Sequence, residues 1–174
     1  MPILWVSMLL FSDVSATVFY SKEEAMKLAF GEEATVEMQS LFPNAEQVAQ
    51  IEQIAKVKLE SKLFSFYVGK KQGEIIGYAA IEAHNVRTKP ETLLIVLDAQ
   101  GVLRQVVTLA FHEPPEYQPP QRWFDLLTNH NLDELSFGKD IQGVAGATLS
   151  TRAGLNSARK VLAVYQVMLK PAGH

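Results

Sequence analysis

The chain contains no cysteine among its 174 residues. Disulfides, thiolate metal sites and cysteine nucleophiles are all excluded, so any redox chemistry must come from a bound cofactor. Histidine is also scarce: His84, His112, His130 and His174 are scattered, without the helical spacing that pairs imidazoles on a metal. Charge of one sign is lacking too. Sixteen basic residues stand against 19 acidic ones, the net charge is −3, and no run of Lys or Arg exceeds two, which argues against a nucleic-acid partner. No apolar run approaches the roughly 20 residues that a membrane-crossing helix needs. Internal repeats, low-complexity tracts and linkers are absent as well. What remains is a composition of 48% hydrophobic and 20% charged residues, which suits one globular core in a chain of this length.

The amino terminus is the most apolar part of the chain. Ile3, Leu4, Trp5, Val6, Met8, Leu9, Leu10 and Phe11 follow one another without a charged side chain, and Val14, Ser15 and Ala16 supply small residues just beyond. This matches the apolar region and cleavage pattern of a secretory signal, with residues 1–16 removed and Thr17 starting the mature chain. No Lys or Arg precedes the run, and the alternative is a buried first strand or helix. Export implies an extracytoplasmic location, the periplasm in a bacterium, with possible membrane association through a partner.

Further on, Ser21 with Glu24 forms a capping box that predicts a short helix closed by Gly31. A second helix is predicted from Asn44, with Val48, Ile51, Ala55 and Leu59 on the buried stripe and Glu46, Gln50, Gln53 and Lys56 opposite. Leu63–Lys70 and Glu74–Ala83, rich in aromatic and β-branched residues, read as a hairpin across Lys71, Gln72 and Gly73. Thr92–Asp98 and Val102–Phe111 read as a second hairpin across Ala99, Gln100 and Gly101. Pro114, Pro115, Pro119 and Pro120 then stop regular structure. Gln121–Thr128 is a short helix with Pro120 at its first position. The last helix carries Leu155, Ala158, Leu162, Tyr165 and Leu169 on one stripe, with Asn156, Arg159, Gln166 and Lys170 on the other side, until Pro171 ends it. The expectation is an α+β single domain, residues 17–174, with a central antiparallel sheet of at least four strands flanked by helices and a long C-terminal helix.

The segment Asp140–Arg152 carries the chemistry. Gly143, Ala145, Gly146 and Ala147 crowd small residues ahead of Thr148, and Ser150 and Thr151 add hydroxyls. Small side chains let a ligand approach the backbone, and the amides at a following helix start attract phosphate. A glycine-rich lead capped by Ser or Thr is also a common way for a helix to begin.

The pentapeptide Gly146-Ala147-Thr148-Leu149-Ser150 resembles the Gly-Ala-Thr-x-Ser/Thr signature of the FMN-binding domain family. That family includes periplasm-facing subunits of the Rnf complex and of sodium-pumping quinone reductase. His112, Glu113 and Pro114, with Tyr117, Pro119, Arg122 and Trp123, are similar to the family's stretch between the last strand and the flavin loop. Gly77-Tyr78 resembles its mid-strand pair, so the likeness spans about residues 63–169. Two positions depart from the pattern: Gln142 stands where the family has Asp, and Ala145 where it has Ser or Thr. By resemblance, FMN is joined through its phosphate to the Thr148 hydroxyl by a separate Mg²⁺-dependent flavin transferase that uses FAD. The implied function is electron transfer with a membrane or periplasmic redox protein.

Around Thr148 the implied site takes in Ala145, Gly146, Ala147, Leu149 and Ser150. Glu113 and Tyr117 are candidates to line it, or else to shape the proline-rich turn. Trp123 stacks on the flavin or fills the core. Arg152 pairs with the phosphate or is a solvated first-turn residue. Competing functions are a small-molecule flavin-dependent reductase, for which no acid–base cluster is evident, and a non-redox binding protein that kept the fold and lost the flavin.

Overall fold

The computed structural model describes residues 17, 18, 20–138 and 140–171. The apolar run and the expected cleavage point after Ala16 lie outside these residues. Six strands form one antiparallel sheet in the order β1-β6-β5-β4-β3-β2. They are β1 (Thr17–Val18), β2 (Thr35–Leu41), β3 (Phe64–Lys71), β4 (Glu74–Asn85), β5 (Pro90–Asp98) and β6 (Leu103–Phe111). Helices α1 (Lys22–Phe30), α2 (Ala45–Ala55), α3 (Gln121–Asp125) and α4 (Thr148–Val164) flank it, and a π-helical turn, Tyr165–Leu169, continues α4. The architecture is therefore a single α+β domain with a long C-terminal helix.

The sheet buries both faces. Phe66, Val68, Tyr78, Leu93, Ile95 and Leu97 pack with Ile51 of α2, Phe124 of α3 and Leu155, Ala158 and Leu162 of α4. The alternate residues Tyr67, Ala79, Leu94 and Val96 pack with Ala25 of α1 on the other face. A strand with helices on both sides needs apolar residues at every position, which is why β5 reads Leu-Leu-Ile-Val-Leu without alternation.

The expected capping box forms, and a second one opens α2. Ser21 Oγ accepts from Glu24 N while Glu24 accepts from Ser21 N, and Asn44 and Gln47 make the same exchange at the start of α2. The β3–β4 hairpin closes through two residues, Gln72 and Gly73, with φ of +52° and +84°, the signs a type I′ turn requires.

The structure corrects several boundaries. Strand β2 is an addition to the expected strands, because its sequence Thr-Val-Glu-Met-Gln-Ser-Leu has little apolar content and only Leu41 is buried. Helix α2 stops at Ala55, where Lys56 turns left-handed (φ +55°), so Leu59 reaches the core from the loop that follows. Pro120 is the N-cap of α3 rather than its first helical residue, and α3 ends at Asp125.

The helical stripe puts Arg159 on the solvent side of the last helix, yet it is only 6% exposed. Its guanidinium donates to Ala55 O at 2.6 Å, Leu132 O at 3.0 Å, Ile54 O at 3.1 Å and also to Leu135 O. Those carbonyls belong to the C-terminal end of α2 and to the loop between α3 and α4. A stripe predicts only what a solitary helix buries; here α2 and that loop cover a second side.

Candidate functional site

The loop meets α4 through a turn that favours glycine. Ala147 N donates to Val144 O at 3.0 Å, and Gly146 between them has φ of +83°. A Cβ on Gly146 would come no nearer than 4.0 Å to Glu116 O, so the demand is conformational and not steric. Helix α4 starts at Thr148. Its N-cap, Ala147, supplies no side-chain acceptor, and the first amide to close a helical bond is that of Thr151, which donates to Ala147 O at 2.9 Å. The amides of Thr148, Leu149 and Ser150 thus project outward at the positive end of a 17-residue helix.

Three hydroxyls lie within this first turn, and packing separates them. Ser150 is 1% exposed and donates to Tyr117 O at 2.5 Å. Thr151 is fully buried and donates to Thr148 O at 3.0 Å. Thr148 is exposed, and its Oγ1 lies 3.5 Å from Val144 O, the outer limit of a hydrogen bond. Only Thr148 presents its hydroxyl to an incoming reagent.

That hydroxyl borders a cavity of about 220 Å³ lined by Arg87, Tyr117 and residues 146–150. Arg87 comes from the turn between β4 and β5, far away in sequence, and its guanidinium stands 4.6 Å from the centre of the Tyr117 ring. Glu113 fixes that turn. Its carboxylate is 7% exposed and accepts from the amides of Thr88 (2.6 Å), Lys89 (2.8 Å) and Arg87 (3.2 Å). Donation from Thr88 and then Lys89 holds its pKa below the usual glutamate value despite burial. Glu113 therefore acts through the backbone, carrying Arg87 to the cavity, while Tyr117 lines the cavity directly.

The other expected residues fall around this centre. Trp123 is 3% exposed; its ring packs edge-on against Phe124, and its Nε1 donates to Gln142 O at 2.7 Å. Trp123 thus sits in the core and pins the loop before Thr148. Gly154 lets α4 close onto α3, since a Cβ there would stand 2.8 Å from the Phe124 ring. Leu149 is 48% exposed beside Thr148. Ala145 and Arg152 are exposed and do not line the cavity.

Two features have no signature in the sequence. Arg87 carries no motif; the β4–β5 register and the Glu113 clamp bring it to Thr148. A buried polar chain also crosses from the sheet to α4, with Ser157 Oγ 3.1 Å from His84 Nδ1, and His84 Nε2 3.0 Å from Glu91 Oε2. Glu91 is fully buried, and its Oε1 has no hydrogen-bond partner. Among the described residues, no group of three His, Cys, Asp or Glu could hold a metal, and no helix is long and apolar enough to cross a membrane.

No family model, curated protein or solved structure matches the chain. Any functional reading therefore stands on the motif and on this geometry.

Proposed function

We propose that this chain is a one-domain electron-transfer flavoprotein that carries FMN through a phosphoester on Thr148. The observation that carries the reading is the sorting of the three hydroxyls: Ser150 and Thr151 are buried and bonded, and Thr148 alone is presented, at the mouth of a cavity.

The residues present suit the phosphate end of the cofactor. The first-turn amides of α4 and the Arg87 guanidinium put positive charge at the cavity that Thr148 lines. The cavity, about 220 Å³, falls below the roughly 300–1,000 Å³ of sites that enclose a whole small molecule. Its lining would hold a phosphate and the start of a ribityl chain, and a bound flavin would supply its redox chemistry outside this cavity. When bound, the flavin supplies the redox chemistry that a chain without cysteine lacks.

Attachment is a phosphoryl transfer. The Thr148 Oγ1–phosphorus bond forms, the FAD pyrophosphate bond breaks, AMP leaves and the hydroxyl proton is released. A covalent tether keeps the cofactor from being lost in an extracytoplasmic compartment, consistent with the leader-like amino terminus. The electron partner is a membrane or periplasmic redox protein.

Coexpression with a flavin transferase tests the reading by intact mass and by colour. The wild-type chain gains one FMN-sized increment and turns yellow. Thr148→Val, which keeps the shape and removes the hydroxyl, folds and stays colourless, while Ser150→Ala still gains the increment. An unmodified wild type beside an active transferase, or flavin on a peptide modified at Ser150 or Thr151, overturns it.

A further inference from the structure

The two edges of the sheet are treated differently. At the β6 edge, β1 pairs with Ala110 and Phe111, and other elements cap the carbonyls beyond: Asn129 N donates to Leu103 O at 2.8 Å, Gln121 Nε2 to Val106 O at 2.8 Å, and Tyr20 N to Leu109 O at 3.4 Å. At the opposite edge, β2 pairs with β3 over all seven of its residues without a bulge. Among the described residues, no main-chain bond from another element reaches its outer side. The strand contains no proline, no lysine and no bulge, and Glu37 is its one charged residue, so it has few of the devices that block further strand pairing. Met38 is 59% exposed, Val36 37%, and Phe42, just past the strand, 70%. An unprotected edge with exposed apolar side chains is a template for another strand.

We propose that β2 pairs antiparallel with β2 of a second copy of this chain, joining two six-stranded sheets across a two-fold axis. One register pairs the whole strand with its own copy and sets no like charges opposite one another. A two-fold axis perpendicular to the sheet sets one residue opposite its own copy, and pairing all seven residues of 35–41 puts Met38 at that point. Glu37 then faces Gln39 of the partner copy, Val36 faces Ser40, and Thr35 faces Leu41, so no like charges stand opposite one another. Centring on Glu37 instead would set two carboxylates face to face. Glu37 is also paired with Lys70 at 2.7 Å, which lowers the charge carried into the joint. Both Met38 side chains fall on the same face, and Phe42 of each copy reaches over residue 34 of the other. Residues 1–16 are the alternative occupant from this chain. β1, which follows them in sequence, lies five strand spacings of about 4.8 Å from β2 across the sheet.

The absence of cysteine makes the test direct. In the whole chain, Met38→Cys places two thiols opposite each other at the axis, within reach of a short bis-maleimide. Gln53→Cys, exposed on α2 away from the edge, is the control. The proposal expects cross-linked dimer from Met38→Cys well above the control, and wild-type mass rising towards dimer with concentration in sedimentation. Charge sets the sign of a second test. Gln39→Glu opposes Glu37 twice and should raise the dimer dissociation constant about 2- to 30-fold, while Gln39→Lys should lower it. A wild type that stays monomeric up to about a millimolar, cross-linking no better at position 38 than at 53, or equal effects of Glu and Lys at position 39 would each overturn the proposal. The first of these is also the outcome expected if residues 1–16 or an unrelated protein occupy the edge.

Discussion

Replacing Arg159 with methionine removes the donors from four main-chain carbonyls while keeping most of the side chain's bulk. Ala55 and Leu135 are fully buried and Leu132 is 8% exposed, so these three acceptors have poor access to water; Ile54 is partly buried. A buried acceptor left without a donor costs about 1–3 kcal/mol. Three of them set an upper bound of about 9 kcal/mol. Two effects reduce it: the carbonyls at the end of α2 can relax towards water, and the variant no longer has to desolvate a guanidinium. That desolvation is the leading cause of Arg159's lowered pKa, opposed by Asp133. With those reductions, the lower part of that range for each of the three buried carbonyls gives an expected loss of about 3–5 kcal/mol for Arg159→Met. In a domain of this size, about 2–4 °C of melting temperature goes with each kcal/mol, so a drop of about 6–20 °C is expected. Urea unfolding followed by far-UV circular dichroism measures it. A loss below about 1 kcal/mol would show that the four bonds are replaced by water and that Arg159 does not lock α4 to α2. Arg159→Lys should recover little, since one ammonium cannot span the same acceptors.

Leu162→Ala, at a site 6% exposed in the core beneath α4, should cost about 2–5 kcal/mol in denaturant unfolding, and a change below about 0.5 kcal/mol would contradict the packing. Gly146→Ala forces a Cβ into a left-handed conformation and should cost about 1–2 kcal/mol. Gly143→Ala has no such conformation to violate and its nearest contact is 3.7 Å, so it should be close to neutral; equal losses would remove the conformational explanation. Glu113 has a folded pKa below its ordinary 4.5, so its stabilisation is complete above that value and disappears as pH falls through the lower folded value. The stability gap between wild type and Glu113→Gln should therefore be widest near neutrality and close in acid, and a gap that is constant with pH would rule out the charged clamp.

Local signals are legible in the order of residues alone. Ser21 with Glu24, and Asn44 at the head of a 3.6-residue stripe, satisfy helix amides within three residues, so their chemistry does not depend on the rest of the chain. The β3–β4 hairpin is equally local, because Gly73 permits the turn whatever surrounds it. The motif around Thr148 is visible for the same reason, as is the amphipathic stripe of α4. Strand β2 is not, because an edge strand with both faces in water has no hydrophobic period to read; it exists because the β3 edge offers its amides and carbonyls.

At the candidate site the division runs along the same line. The sequence by itself determined that three hydroxyls follow a small-residue turn, that glycine is available where φ must be positive, and that no thiol competes for redox chemistry. Only the tertiary structure decided that Ser150 and Thr151 are buried and Thr148 is exposed, because α4 docks against the Tyr117 turn and buries one side of its first turn. Tertiary structure alone brought Arg87 across from the β4–β5 turn through Glu113, and drew Arg159 into the core beneath α2. These are pairings between residues 24 to 105 positions apart. They depend on which elements pack together, and no spacing along the chain records that.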